Sequence, residues 1–204
     1  MIERLVKQMK KALCMFFALA MCGLMVSCGD EASELGDDPV HVEMSVKDFG
    51  VVQLELYPDI APITVENFVS LVEDGFYDGL TFHRIVEDFM IQGGDPKGDG
   101  TGGSDKEIKG EFSSNGVENT LSHTRGVISM ARSQDPNSAS SQFFIMHADN
   151  TNLDGQYAAF GKVTEGMDIV DKIASVKVEA AYPGASEESS PVEPVYIEYI
   201  KRVD

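Results

Sequence analysis

Phe82-His83-Arg84-Ile85-Val86-Glu87-Asp88-Phe89-Met90-Ile91-Gln92-Gly93-Gly94-Asp95 holds two short apolar segments, Phe82 to Val86 and Phe89 to Gln92, parted by two acids and closed by a Gly-Gly-Asp turn. Segments of this length, aromatic and β-branched and bounded by turn formers, read as strands. The pattern recurs at Val127 to Ala131, Phe143 to Met146 and Ala158 to Val163. Many short strands between Gly-, Asn- and Asp-rich turns imply a sandwich or a barrel. The same stretch, with Ser141-Gln142-Phe143-Phe144-Ile145, combines one guanidinium, two amides and several aromatics. That mixture suits a polar handle beside an apolar pocket.

Working outward, Val40, Val42, Met44 and Val46 alternate along one side of an extended run, and Val52, Leu54 and Leu56 do so again after Asp48-Phe49-Gly50. Two paired strands in a hairpin follow from this period of two. Pro58 and Pro62 end the extended run, and Val65, Phe68, Val69 and Val72 then fall at helical spacing before Gly75, predicting a helix of about three turns. A second helical pattern, Met167, Ile169, Val170 and Ile173, occupies Gly166 to Ala174, and Val195, Ile197 and Tyr199 alternate as a last strand. Between these, Glu179 to Pro194 is rich in Glu, Ser, Ala and Pro and reads as a mobile excursion. No internal repeat and no second domain are found.

The first residues are of a different kind. Met1 to Lys11 carries Arg4, Lys7, Lys10 and Lys11 against Glu3, and Ala12 to Val26 is an uncharged run followed by Ser27-Cys28-Gly29. This is the layout of a bacterial export signal. The run is shorter than the roughly 20 apolar residues of a spanning helix. Small residues before a cysteine resemble a lipobox, which makes Cys28 the acylated new N-terminus; Cys22 and plain cleavage without a lipid are the alternatives. The chain therefore divides into a lipoprotein-type signal peptide at 1–27, a flexible acidic tether at 28–39 and one folded domain at 40–204, with a cell-envelope location, anchored to a membrane and facing the periplasm or the outside. All three cysteines, Cys14, Cys22 and Cys28, lie in or at the edge of the leader, so disulfides have no part in the domain. Loss of residues 1–27 takes four of the 16 basic and one of the 34 acidic side chains, leaving 12 against 33 and a formal charge of −21. Such a surface repels phosphate backbones, so nucleic acid is not an expected partner.

Other chemistries fail on context. Gly98-Asp99-Gly100-Thr101-Gly102-Gly103 satisfies a Gly-x-Gly-x-x-Gly pattern, yet Ser104 to Gly110 is too short and charged for the helix that a dinucleotide site needs. Asp95, Asp99 and Gly100 echo a calcium loop whose twelfth position is Lys106. His41, His83, His123 and His147 have no metal-ligand spacing, and no nucleophile elbow is present. Neither metal nor cofactor is expected.

Taken in order, Phe82-His83-Arg84-Ile85, Phe89 to Asp95, Gly100-Thr101-Gly102-Gly103, Gly126-Val127-Ile128-Ser129-Met130-Ala131, Ser141 to Ile145, Leu153-Asp154-Gly155-Gln156-Tyr157 and Phe160-Gly161-Lys162-Val163 resemble the cyclophilin-type peptidyl-prolyl cis-trans isomerases. The resemblance spans roughly Val40 to Ala174. It implies a mainly β fold, a closed eight-stranded antiparallel barrel capped by two α-helices. It also implies an activity, faster rotation about Xaa-Pro bonds in unfolded or exported polypeptides, with proline-containing chains as partners and a monomeric enzyme. The alternative function is a proline-peptide-binding chaperone or scaffold with little turnover.

By that resemblance Arg84, Gln92 and Phe89 are catalytic, while Met90, Ala131, Arg132, Gln142, Phe144, Leu153 and Tyr157 bind substrate. The chemistry suits the residue types. The barrier to rotation, roughly 18–20 kcal/mol, comes from amide resonance. Once the bond twists, the prolyl nitrogen becomes an acceptor that the planar forms lack, and a donor placed there lowers the barrier selectively. Guanidinium is permanently charged and presents rigid donors, which makes Arg84 the candidate. Phe89, Met90, Phe144 and Leu153 match the proline-ring pocket, Gln92 and Gln142 position the substrate and hold Arg84, and Ala131 and Arg132 match an edge strand for the peptide. His83, next to Arg84, is expected to point the other way and make a structural hydrogen bond. Phe82, Phe143 and Phe160 are expected in the core. Asn152 and Tyr157 depart from residues common in eukaryotic members, which puts cyclosporin binding in doubt, and the loop Ser133 to Ser140 is a candidate shaper of substrate choice.

Overall fold

A computed structural model of the chain describes residues 35–203. The expected signal peptide, Cys28 and most of the tether lie outside the described residues. Strand β1 (Val40–Val46) and β2 (Gly50–Leu56) form the expected hairpin, in register from Val40 opposite Leu56 to Val46 opposite Gly50. The turn is closed by the Phe49 N–H donating to the Val46 carbonyl at 3.1 Å. Helix α1 (Pro62–Glu73) follows, with Pro62 in its first turn, where a missing N–H costs nothing. Ala61 supplies no side-chain cap. The buried Glu111 does so from 48 residues away: its carboxylate accepts the Ile63 N–H at 3.1 Å, the Thr64 N–H at 2.8 Å and the Thr64 hydroxyl at 2.6 Å. A negative charge on the exposed N–H groups of a helix start is favourable, which accounts for a buried acid without a basic partner.

Strands β3 (Arg84–Val86), β4 (Met90–Gly93), β5 (Val127–Met130), β6 (Phe143–Met146) and β7 (Ala159–Glu165) lead to helix α2 (Met167–Ala174). A small hairpin of β8 (Val178–Ala180) and β9 (Glu188–Pro191) comes next, then β10 (Ile197–Arg202). Eight strands make one antiparallel sheet in the order β10-β1-β2-β7-β5-β6-β4-β3. The sheet is mainly β with two helices, as expected, but it is an open half-barrel and not a closed one. Its edges are β10 and β3; near them Thr81 makes a single bridge towards β10 at Tyr196 and another on the β4 side at Asp95. The reason is local: Phe82 and Leu80 make isolated backbone bonds to Val195 and Ile197, and β3 is only three residues long, too short to carry a ladder on both sides.

Alternation along the strands sends one row of side chains into the main core. Phe68 from α1, Tyr77, Phe82, Phe143 and Phe160 are each fully buried there, and Phe143 meets Phe68 and Phe82 edge-on at 5.6 and 6.1 Å between centroids. Edge-on ring pairs add about 0.5–1.5 kcal/mol beyond burial. The Tyr77 hydroxyl keeps a partner by donating to the Ser141 carbonyl at 3.1 Å. Gly94 turns the chain out of β4 at φ +84°, with the place of a Cβ pressed against the Ser141 carbonyl oxygen, so no other residue fits. Residues 178–191 are not a structureless excursion. They pair as a hairpin, Val178 opposite Pro191 and Glu179 opposite Ser190, and lie beside β3 with Ser189 buried.

Candidate active site

The register of four strands builds the site. Arg84 stands opposite Gln92, Gln92 opposite Phe144, and Phe144 opposite Ser129, so these four share a row across β3, β4, β6 and β5. Because successive residues alternate between faces, Met90, two before Gln92, joins the same face, while Ile85, Ile91, Phe143 and Ile145 go to the core. The outer face carries a second, smaller apolar cluster of Met90, Val127, Phe144, Met146 and Ala159, with Phe89, Leu121, Ala131, Leu153 and Tyr157 against it. Into this cluster opens a hollow of about 200 Å³, lined by Arg84, Phe89, Met90, Gln92, Ala131, Arg132, Phe144, Leu153 and Tyr157. Nine of the ten residues expected to contact substrate thus meet in one place. Gln142 alone lies next door.

Arg84 lies at the rim, its Cζ 5.8 Å from the centre of the Phe89 ring. Its Nη1 faces the Met90 sulfur at 3.8 Å, on the side of the hollow. The other edge of the guanidinium is occupied. Nε donates to Glu187 Oε1 at 3.1 Å, and Nη2 donates to Oε1 at 2.9 Å and Oε2 at 3.3 Å. The partner is neither Glu87 nor Asp88, the acids near in sequence, nor either glutamine expected to hold it.

Those glutamines serve the neighbouring wall. Gln92 Nε2 donates to Gln142 Oε1 at 2.8 Å, and Gln142 Nε2 donates to the carbonyls of Gly102 at 2.7 Å and Gly100 at 3.1 Å. The glycine loop is fixed from its other end by Asp95, whose carboxylate accepts the N–H groups of Lys97, Asp99 and Gly100 at 2.8, 3.2 and 2.6 Å. Burial alone would raise the Asp95 pKa, but the backbone N–H groups of Lys97, Gly102 and Gly100, with the nearby His83, together outweigh it and lower it. The Gly-x-Gly-x-x-Gly segment is therefore a wall, and a second hollow of about 360 Å³ lies between it, Gln142 and residues 131–133. His83 does not make its expected hydrogen bond. Both ring nitrogens are buried without a partner, with Nε2 3.9 Å from where Gly100 would carry a Cβ. Burial pushes its pKa down, Asp95 pulls it up less strongly, and Arg84 adds to the lowering.

The floor contains an arrangement that sequence spacing did not reveal. His123 Nε2 is 3.0 Å from the Ser129 hydroxyl and its Nδ1 is 2.8 Å from Asp154 Oδ1, while the imidazole stacks on Phe144 at 6.0 Å. The order Ser-His-Asp suggests a nucleophile, but Ser129 is fully buried behind Phe144 and has no access to a substrate. The trio acts as a brace. Burial lowers the His123 pKa more than Asp154 raises it, so the ring stays neutral and holds its place by hydrogen bonds. Only the recurrence of His, Ser and Asp near Phe144 could have signalled it, and no local pattern links residues 123, 129 and 154.

At the rim, Ala131 and Arg132 are not on an edge strand. β5 lies between β7 and β6 and ends at Met130, and the Ala131 N–H already donates to the Gln142 carbonyl at 2.9 Å. The edge reading failed because the resemblance gives residues, not neighbours. The Arg132 guanidinium is clamped by the Gln156 carbonyl at 2.8 and 3.1 Å and sits 4.8 Å from the Tyr157 ring centre and 5.1 Å from that of Phe112. Tyr157 meets Phe144 edge-on at 5.8 Å. Arg132 thereby fixes one lip of the hollow.

Comparison with known proteins gives a consistent result. A family model described as cyclophilin type peptidyl-prolyl cis-trans isomerase/CLD matches residues 41–202. A peptidyl-prolyl cis-trans isomerase of Acinetobacter baylyi is 43% identical over 164 residues, which cover 78% of this chain and 81% of the relative. A peptidyl-prolyl cis-trans isomerase-like 1 of Rhizopus delemar is 47% identical over 132 residues, 64% of this chain and 78% of its own. Among solved structures, a cyclophilin type peptidyl-prolyl cis-trans isomerase of Cryptosporidium parvum superposes with a TM-score of 0.72 at 27% identity, covering 81% of this chain and 98% of the other. Its structure in the presence of the dipeptide Ala-Pro gives 0.71 at 28% identity over 80% and 99%.

Proposed function

The chain belongs to the cyclophilin-type peptidyl-prolyl cis-trans isomerases, and from that membership we propose how its residues divide the work of turning an Xaa-Pro bond. The observation that carries the proposal is the apolar hollow with the Arg84 Nη1 on its inner side. Phe89, Met90, Phe144 and Leu153 grip the proline ring, and the acyl side rotates in front of it. As the imide twists, its nitrogen gains a lone pair that accepts from Arg84. A hydrogen bond to a charged group contributes about 1.5–3 kcal/mol, or roughly 10- to 150-fold in rate. The water-poor setting strengthens that contact. Gln92 acts through Gln142 and keeps the glycine-loop wall at a fixed distance from the ring. Substrates are proline-containing polypeptides, in accord with the Ala-Pro dipeptide present with the Cryptosporidium structure.

The test is catalysed cis-trans exchange of a short Ala-Pro peptide, followed by the merging of its two sets of NMR peaks, with the wild-type domain and Arg84→Ala. Loss of at least tenfold in the variant is expected. Equal activity would remove Arg84 from the mechanism, and a peptide that binds without faster exchange would turn the reading to a binding module.

We further infer export and lipid anchoring through Cys28, supported by the basic start, the uncharged run Ala12 to Val26 and the acidic stretch after it. The domain then works as a monomer at a cell-envelope membrane on chains that emerge unfolded. Incorporation of labelled palmitate into the wild type and not into Cys28→Ser tests the anchor, and protease access on intact cells tests its sidedness. Label retained in Cys28→Ser would refute the assignment.

A further inference from the structure

We propose that Glu187 is a positioning residue for the isomerase reaction, holding the Arg84 guanidinium so that one nitrogen faces the substrate. This rests on the reading of Arg84 given above. A guanidinium has two usable edges. Here the Nε and Nη2 edge is taken by both oxygens of Glu187, and Nη1 is left on the side of Met90 and the hollow. A blocking carboxylate would lie between the guanidinium and the hollow, and Glu187 does not line that hollow. Among the described residues it is the carboxylate within ion-pair reach of Arg84.

Glu187 is itself anchored. It immediately precedes β9, whose Glu188 pairs with Ala180 and whose Ser189 is buried, and β9 lies beside β3, the strand that carries Arg84. The hairpin thus brings a carboxylate from 103 residues away to the outer edge of one arginine. The need is physical. The Arg84 side chain is 35% exposed and that of Glu187 is 44% exposed, so the pair does little for stability. A long side chain at a rim otherwise samples many rotamers, whereas catalysis requires its donor at one point. A two-point grip restricts the guanidinium in rotation as well as in place.

The experiment measures catalysed exchange of the Ala-Pro peptide with wild type, Glu187→Ala, Glu187→Gln and Arg84→Ala, together with the nitrogen-proton signal of Arg84 Nε. Glu187→Ala is expected to lower kcat by roughly three- to tenfold with KM within about twofold, because the donor is lost at the twisted state and not at binding. Glu187→Gln, which keeps the length and one acceptor, falls between, and it also supplies the reading if the alanine variant folds poorly. Salt at about 1 M brings the wild type towards Glu187→Ala and leaves that variant unchanged. The Nε–H signal shifts and exchanges faster with water in Glu187→Ala, a change that a merely structural hairpin contact would not produce together with the kcat loss. Unchanged or increased kcat in Glu187→Ala, with Arg84→Ala inactive, overturns the proposal: the carboxylate is then a bystander or a screen. Full activity of Arg84→Ala instead removes the reading of Arg84 itself, so the two failures are distinct.

Discussion

Replacing Arg84 by lysine keeps the positive charge and removes the fork, and the geometry sets what that costs. Counted along the side chain, the lysine nitrogen falls at the place of the arginine Cζ, one bond short of Nη1. That place is 5.8 Å from the Phe89 ring centre, and the carboxylate of Glu187 faces it at contact distance from the neighbouring nitrogens. A compact ammonium there is drawn to the carboxylate and no longer reaches over the hollow. The loss is the charge-assisted hydrogen bond to the twisted imide, about 1.5–3 kcal/mol, so kcat/KM for Arg84→Lys falls by roughly 10- to 150-fold, close to the loss in Arg84→Ala. The assay is NMR exchange of an Ala-Pro peptide over a range of enzyme concentrations, with peptide affinity measured separately. Removing the trap by adding Glu187→Gln to Arg84→Lys is expected to restore a few-fold of the loss, whereas Glu187→Gln alone reduces activity, a non-additivity typical of residues in contact. Arg84→Lys within threefold of wild type would refute the need for a fork, and no recovery in the double variant would refute capture by Glu187.

Gln142→Leu cuts the link from Gln92 to the carbonyls of Gly100 and Gly102, so KM for peptides longer than the dipeptide is expected to rise by roughly three- to tenfold with kcat little changed; a kcat loss at constant KM would place Gln142 in the chemical step. Glu111→Ala leaves three donors at the start of α1 without an acceptor and should lower stability by about 3 kcal/mol, read from urea unfolding; a loss under 1 kcal/mol would mean that water replaces the carboxylate. His83 is neutral in the native state, since burial lowers its pKa, while the unfolded chain takes up a proton near its ordinary value of about 6.5. Stability is therefore full above that pH and falls as the pH drops from about 6.5 towards the native pKa, with His123 adding in the same direction. Melting temperatures between pH 7.5 and 5.5 should decline, less so in His83→Leu; an identical slope in that variant would show that His83 does not carry the effect.

What could be read from the residues was whatever follows from strand alternation and contiguous motifs. Val40 to Leu56 announced a hairpin, Val65 to Val72 a helix, and the spacing of Arg84, Met90, Gln92 and Phe144 matches one face of adjacent strands. What could not be read depends on pairs distant in the chain. The Arg84–Glu187 contact reaches a residue, Glu187, whose own surroundings, Glu, Ser and Gly without alternation, announce no strand. Likewise Glu111 caps a helix through Ile63, 48 residues earlier in the chain. The open edges of the sheet follow from the length of β3 and the single bridge from Thr81 to Tyr196, and neither has a local pattern. His83 lacks the hydrogen bond expected of it, and it precedes β3, outside the strand, where alternation gives no guide to a partner.

The first strand of the domain and its last are neighbours: Val42 stands opposite Arg202 and Met44 opposite Ile200. A ribosome working from one end therefore completes β1 long before its second partner exists, and for all that time the strand has only β2 beside it. Closing a loop of this span carries an entropic cost that no earlier contact repays. The domain cannot reach its finished form until residue 202 has emerged, so the pairing of β1 with β10 is the last of the sheet's ladders to become available along the chain.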